Sequence, residues 1–252
     1  MKKLRDIYLA LKFTISYFTS IPITFKEHDN IDNKTTLSFS IYLLPVVGLI
    51  LSSFIIILYK FFEPSLYFAL LCAIVYMLLY GFIHTEAIAD VVDALYAKHS
   101  NGDPYKVIKE PTVGAMGLLY TGSFLILKIA TLAYMLFDGL HLQFLIISML
   151  SRSTAVYLIY SSEFRSTFVN KIKSHMDLFF TGVFLLFFAL LGFGVLGLDV
   201  SYLIILTAAT TLYIRKILYK NLGFLNGDVL GFNIEITELV LMIFCVGKLT
   251  GF

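Results

Sequence analysis

Glu86, Asp90 and Asp93 stand at i, i+4 and i+7, a spacing that on a helix stacks three carboxylates along one face. Like charges so arranged repel, and a chain that keeps them together commonly neutralises them with a cation. Hard carboxylate oxygens select Mg²⁺, Mn²⁺ or Ca²⁺ over softer metals. The plainer reading of the same residues is a solvated acidic face. A second stripe runs through Asp228, Gly231, Glu235 and Glu238, again at helical spacing. Two cations, Lys128 and Arg152, interrupt otherwise apolar runs, where an ionisable residue costs about 2.5–3.5 kcal/mol on insertion scales and is functional by default. A negative group for a metal and a positive pair for an anion together equip a site for phosphate or diphosphate chemistry. Alternatively, Lys128 and Arg152 pair with Glu235 and Glu238 as buried structural ions, and Asp228 serves as a helix N-cap. Gly114 and Gly117 open the apolar run that follows the acidic motif. They either admit a phosphate to a helix N-terminus or allow close helix packing.

The elements that must position these residues belong to a membrane. The chain has 252 residues, of which 59% are hydrophobic and 14% charged, against about 25% charged in soluble domains. Its mean hydropathy is +0.86. Seven runs are long enough to cross a hydrocarbon core of about 30 Å: 38–60, 64–83, 113–136, 142–160, 177–198, 200–219 and 229–247. Arg215 and Lys216 shorten the sixth. Residues 6–22, broken by Lys12, suit an amphipathic helix at the interface or tucked under the bundle. The expected fold is therefore an all-α polytopic bundle of about seven transmembrane helices plus an N-terminal interfacial helix, read as one domain over 1–252. Alternate loops (1–37, 84–112, 161–176 and 215–228) hold six, three, three and three Lys/Arg, fifteen of the chain's nineteen. That bias predicts a cytoplasmic amino terminus, with the 84–112 motif facing the cytoplasm. Cys72 and Cys245 lie in apolar runs and read as small buried hydrophobes rather than a disulfide. No basic tract suggests nucleic acid, and no secretory cleavage site is evident.

The order of motifs resembles the cobalamin-5′-phosphate synthase (adenosylcobinamide-GDP ribazoletransferase) family along nearly the whole chain. The family's S-R-I-P segment is matched by Phe18-Thr19-Ser20-Ile21-Pro22, and its P-x-x-G by Pro45-Val46-Val47-Gly48. Its most specific motif, G-F-H-x-D-G-L-A-D-x-x-D-G, is similar to Gly81-Phe82-Ile83-His84-Thr85-Glu86-Ala87-Ile88-Ala89-Asp90-Val91-Val92-Asp93-Ala94. The next, D-S-R-x-G-x-x-G, lines up with Glu110-Pro111-Thr112-Val113-Gly114-Ala115-Met116-Gly117. Lys128 corresponds to a mid-span lysine and Arg152 to the arginine of G-R-x-x-A-V. The closing motif, ending G-D-x-x-G-A-x-x-E-x-x-E, is matched by Gly227-Asp228-Val229-Leu230-Gly231 with Glu235 and Glu238.

The resemblance implies an enzyme of a bacterial or archaeal cytoplasmic membrane that joins adenosylcobinamide-GDP to α-ribazole or its 5′-phosphate and releases GMP. It implies Mg²⁺ held by Glu86, Asp90, Asp93, Asp228 and Glu110, with Asp93 or His84 as the base. Lys128, Arg152, Glu235, Gly114 and Gly117 are then expected at the substrate, and the bilayer as a partner. A homo-oligomer and contacts with other corrinoid-pathway enzymes are compatible with it. Here Glu86 replaces an aspartate, Ala87 and Ala94 replace glycines, and Glu110-Pro111-Thr112 replaces Asp-Ser-Arg; if that arginine grips a phosphate in the family, this chain uses another cation or binds more weakly. Two rivals remain at this stage. A CDP-alcohol-type phosphotransferase wants an arginine after the motif's alanine, but Asp90 follows Ala89. An ion-coupled transporter would use the mid-span charges as a relay, but the chain has no internal repeat.

Overall fold

The computed structural model describes residues 2–251, and among them all regular structure is helical. The chain runs α1 (Lys2–Phe18), α2 (Lys34–Tyr42), α3 (Leu44–Phe61), α4 (Leu66–Leu79), α5 (Ile83–His99), α6 (Pro104–Val107), α7 (Ala115–Phe137), α8 (His141–Ser161), α9 (Thr167–Lys173), α10 (Leu178–Leu196), α11 (Val200–Leu222) and α12 (Gly227–Thr250). Five stretches are long and apolar enough to cross a membrane: α3, α7, α8, the 45-residue Leu178–Leu222 stretch and α12. A sixth is added if α4 and α5, bent by 78° at their junction, make one broken span. The expected seven is therefore not the count reached. The first predicted run, 38–60, breaks at Leu43, because Pro45 near the start of α3 cannot continue the α2 hydrogen-bond ladder. The fifth and sixth runs meet at a short 3₁₀ turn over Gly197–Asp199, where Gly192 of α10 lies against Val200 of α11.

Helices α8 and α12 form the interior, with α3, α5 and α10 packed around them. The Leu178–Leu222 stretch is the least enclosed and turns Phe179, Phe187 and Leu190 outward, as a lipid-facing surface requires. Gly48 of α3 shows how tightly the interior closes: a Cβ there would run into the Ser148 carbonyl and stand 2.8 Å from Arg152 Cδ. Glycine at a helix crossing lets backbones approach in this way. Helix α1 turns Leu4 and Tyr8 outward while Leu9, Ala10 and Thr14 are buried. Thr14 donates to the Ser40 carbonyl at 2.8 Å and so ties α1 to α2. Both cysteines are free and buried, as expected.

The loops that the Lys/Arg bias groups on one side do touch one another. Lys171 pairs with Asp32 at 2.6 Å, the Arg165 amide donates to Leu225 O at 2.7 Å, and the Arg165 guanidinium lies 3.5 Å from the centre of the Tyr105 ring. At the opposite end Lys248 pairs with Asp199 at 2.8 Å. The bundle thus has two distinct ends, and the carboxylate motif belongs to the first.

Candidate active site at the carboxylate end of the bundle

The bend between α4 and α5 sets the site. Gly81 (φ 68°) and Phe82 (φ 57°) both adopt left-handed backbone, which reverses the chain within three residues of α4. For phenylalanine that conformation is costly and persists only where its surroundings hold it. Ser20 supplies the support. Its amide donates to Leu79 O at 2.7 Å and its hydroxyl to Leu78 O at 2.7 Å, satisfying carbonyls that the end of α4 leaves open. The Ser20-Ile21-Pro22 segment therefore acts as a brace under the bend. Beyond the bend, α5 forms as expected, and Glu86, Asp90 and Asp93 share its unburied stripe while Ala87, Ile88, Val91 and Val92 are buried.

Helix α12 brings Asp228 near Asp90. Asn226, not Asp228, is the N-cap: its side chain accepts from the Val229 amide at 3.1 Å and donates to Asp228 Oδ2 at 2.6 Å. Gly231 permits the approach of α12 to α5, since a Cβ there would sit 2.8 Å from the Ala87 methyl. The charges that bear on half-buried Asp90 are Asp228, Glu86 and Asp93, opposed by Lys109. Lys109 also bears on Asp228. Glu86 and Asp90 have no hydrogen-bond or ion-pair partner among the described residues. Glu110 stands exposed in the loop after α6.

Asp93 is differently employed. Its two oxygens accept from the amides of Gly114 at 2.6 Å and Gly117 at 2.8 Å, at the positive N-terminal end of α7. A Cβ on Gly114 would come 2.6 Å from Asp93 Oδ1, and one on Gly117 would collide with the same carboxylate. The two glycines thus admit a carboxylate of the chain itself, rather than the phosphate considered from the sequence. Each Asp93 oxygen thus accepts one amide proton, and the carboxylate ties the start of α7 to α5.

Lys128 and Arg152, expected at the substrate, are paired with glutamates of α12. Lys128 Nζ donates to Glu235 Oε2 at 2.6 Å and Glu238 Oε2 at 2.5 Å. Arg152 pairs with Glu238 Oε1 and donates to Tyr76 Oη at 2.8 Å, while Tyr76 donates to Glu238 at 2.8 Å. All four charged residues are buried, and two cations balance two anions. Glu235 and Glu238 follow Asp228 by seven and ten residues on one helix, roughly 10–15 Å along its axis. Lys128, Arg152 and Glu235 are thus engaged with one another and with Glu238, two to three helical turns along α12 from Asp228. It is the buried ion-pair alternative that the geometry matches.

His84 is also turned away from the carboxylate stripe. It is buried between Phe18 and Tyr80, with ring centres 5.8 and 6.2 Å away. Its two nitrogens have no partner among the described residues. Two features were missed in the sequence. Lys109 carries no motif and looks like any loop lysine until the fold brings it to Asp90 and Asp228. A cleft of about 670 Å³ is lined by Arg215, Lys216 and Lys220 and reaches Leu225, three residues before Asp228; its cations look in the sequence like a shortened span.

Among the described residues no three His, Cys, Asp or Glu side chains converge closely enough to hold a metal as they stand. The donors nevertheless fit a hard divalent ion by type: Glu86, Asp90 and Asp228 offer only carboxylate oxygens, two of the three side chains unpartnered.

A family model described as cobalamin-5-phosphate synthase matches residues 10–246. Curated relatives named adenosylcobinamide-GDP ribazoletransferase include one from Clostridium perfringens (strain SM101), 26% identical over 242 residues and covering 93% of this chain and 96% of the relative. One from Treponema denticola is 29% identical over 263 residues (95% and 96%), and one from Caldanaerobacter subterraneus subsp. tengcongensis is 28% identical over 246 residues (93% and 96%). No solved structure matches.

Proposed function

The chain belongs to the cobalamin-5-phosphate synthase family, and from that premise we propose that it joins adenosylcobinamide-GDP to α-ribazole or α-ribazole 5′-phosphate at the cytoplasmic face of the membrane, releasing GMP. The observation that supports the reading is the facing of α5 and α12, which brings Asp228 near Asp90 at the loop-rich end of an apolar bundle. In the reaction a ribose 3′-hydroxyl oxygen forms a bond to the phosphorus next to the cobinamide aminopropanol. The bond from that phosphorus to the oxygen of GMP breaks, and GMP leaves.

Catalysis of such a transfer rests on positioning and charge stabilisation more than on covalent chemistry. Glu86, Asp90 and Asp228 would hold Mg²⁺, which when bound neutralises charge on the diphosphate oxygens. The hydroxyl proton goes to a carboxylate of this group rather than to Asp93. Asp93 instead pins the start of α7 to α5, fixing the wall of the site. Lys109 is the cation that replaces the family's arginine at Thr112, and the Arg215–Lys216–Lys220 cleft offers further positive charge to the nucleotide.

The test is GMP release by the purified protein in liposomes supplied with adenosylcobinamide-GDP and α-ribazole 5′-phosphate. GMP and a cobalamin product with Mg²⁺, both lost with EDTA, are the expected result. No GMP from protein shown to be folded would overturn the reading. A companion measurement addresses Lys109. The Lys109→Gln protein is expected to show KM for adenosylcobinamide-GDP raised about tenfold with kcat little changed, since removing one unobstructed charge from a diphosphate forfeits about 1.4 kcal/mol of binding. An unchanged KM would remove Lys109 from the site.

A further inference from the structure

A cavity of about 160 Å³ lies between α1, α5, α8, α9 and α12, with the ends of α2 and α3 closing it, behind the carboxylate stripe. Its lining is mostly apolar, with Phe18 and Ala155 among its walls, and it carries the ionisable side chains of His84, Asp228 and Tyr17. Tyr17 and Phe168, which also line it, are 45% and 38% exposed with their rings 5.7 Å apart, so this aromatic pair marks its open side. His84 is only 6% exposed, and neither ring nitrogen finds a partner among the described residues. Buried polar atoms are nearly always hydrogen-bonded in native proteins, so two unpartnered nitrogens on a residue that lines a cavity call for a hydrogen-bonding occupant.

Resting on the transferase reading above, we infer that this cavity seats the heteroaromatic base of the nucleoside acceptor, with the His84 imidazole hydrogen-bonding a ring nitrogen of that base. Size, shape and position all support the assignment. An apolar cavity of about 150 Å³ is enough to hold benzene, and an open side lets a bicyclic base and its sugar extend outward. Flat aromatic walls suit a planar guest better than a chain or a globular one. Asp228 lines the cavity and also faces Asp90, so a base seated here carries its ribose to the carboxylates that the reaction uses. His84 is then a binding and specificity residue, which accounts for a buried imidazole that does not face the reacting phosphorus.

Ala155 projects from α8 into the cavity and is 2% exposed. Ala155→Leu and Ala155→Phe each take up much of the space, Phe the more. His84→Phe keeps an aromatic ring and removes both nitrogens. Isothermal titration of each protein in nanodiscs with α-ribazole, and separately with adenosylcobinamide-GDP, reads the two subsites apart. Expected is a loss of α-ribazole affinity of at least tenfold for Ala155→Phe and His84→Phe, and a smaller loss for Ala155→Leu, with adenosylcobinamide-GDP affinity within twofold of wild type. Because the larger substitution risks misfolding, free benzimidazole is also titrated against wild-type protein by ligand-observed NMR, where displacement of α-ribazole is expected. Wild-type α-ribazole affinity in Ala155→Leu and His84→Phe, or failure of benzimidazole to compete, overturns the pocket. The two readings fail separately. GMP release with an Ala155-insensitive KM for α-ribazole sinks the pocket alone, whereas Ala155-sensitive α-ribazole binding without any GMP release sinks the transferase and keeps the pocket.

Discussion

Asp90→Asn and Asp228→Asn proteins are expected to fold at least as well as wild type and to release GMP at no more than about a thousandth of its rate, roughly 4 kcal/mol of transition-state stabilisation. The two halves of this expectation come from the same electrostatics. Asp90 is half-buried and faces Asp228, Glu86 and Asp93, with Lys109 as the opposing cation. Like charges that share a site destabilise one another in the absence of a counterion. An amide of the same shape relieves that repulsion, so thermal stability without metal should hold or rise. With metal the order reverses. A ligand that binds only the folded state stabilises it by RT ln(1 + [L]/Kd), about 2.7 kcal/mol at a hundredfold excess over Kd. Wild-type protein should therefore gain melting temperature as Mg²⁺ is added, while either variant should gain little. A folded Asp90→Asn or Asp228→Asn protein that keeps full Mg²⁺-dependent turnover would sink the metal assignment. An absent Mg²⁺ shift in the wild type would point the same way without reference to activity.

How far the sequence leads is visible in those two residues. The i, i+4, i+7 spacing of Glu86, Asp90 and Asp93 reports a shared helix face directly, because helical periodicity is local, and α5 carries it as expected. Proximity of Asp228 to that face is a tertiary fact. Nothing in the spacing from residue 93 to residue 228 encodes it, and it reached the sequence reading only through the resemblance to a family. Roles within the group were less legible still. Asp93 looks like its neighbours in the sequence, yet the fold assigns it two glycine amides at the start of α7, a partnership set by a turn 21 to 24 residues away. Apolar runs marked the membrane helices well, but composition does not register a bend. Gly81 and Phe82 divide a predicted span from the acidic helix through backbone conformation, and Leu43 divides another where a proline follows. Counting runs gives seven, whereas helix length and apolarity assign five or six.

The same boundary between local and tertiary information explains Lys128 and Arg152, and one substitution decides their role. Glu238→Gln is expected to destabilise the protein by about 3–5 kcal/mol, the cost of leaving a buried ion without its partner. Glu238 accepts from Lys128, Arg152 and Tyr76 at once, all within a region closed to solvent. Neutralising it leaves two buried cations against Glu235 alone. Lys128 retains Glu235 at 2.6 Å, whereas Arg152 keeps only Tyr76, Ser151 and the Ser148 carbonyl. The excess positive charge should thus fall mainly on Arg152, so adding Arg152→Met to Glu238→Gln restores charge balance and should recover part of the lost stability. Cys72 and Cys245 are both buried, so the reaction of a thiol-reactive fluorophore on heating in detergent follows unfolding. Any loss of GMP release should track the folded fraction, with KM for adenosylcobinamide-GDP unchanged in the molecules that remain folded. A Glu238→Gln protein of wild-type stability, or one whose only defect is a raised KM for the diphosphate substrate, would return Lys128 and Arg152 to the substrate. Buried beside their own carboxylates and two to three helical turns from Asp228, they are placed to hold the bundle together so that α5 and α12 meet where the chemistry needs them.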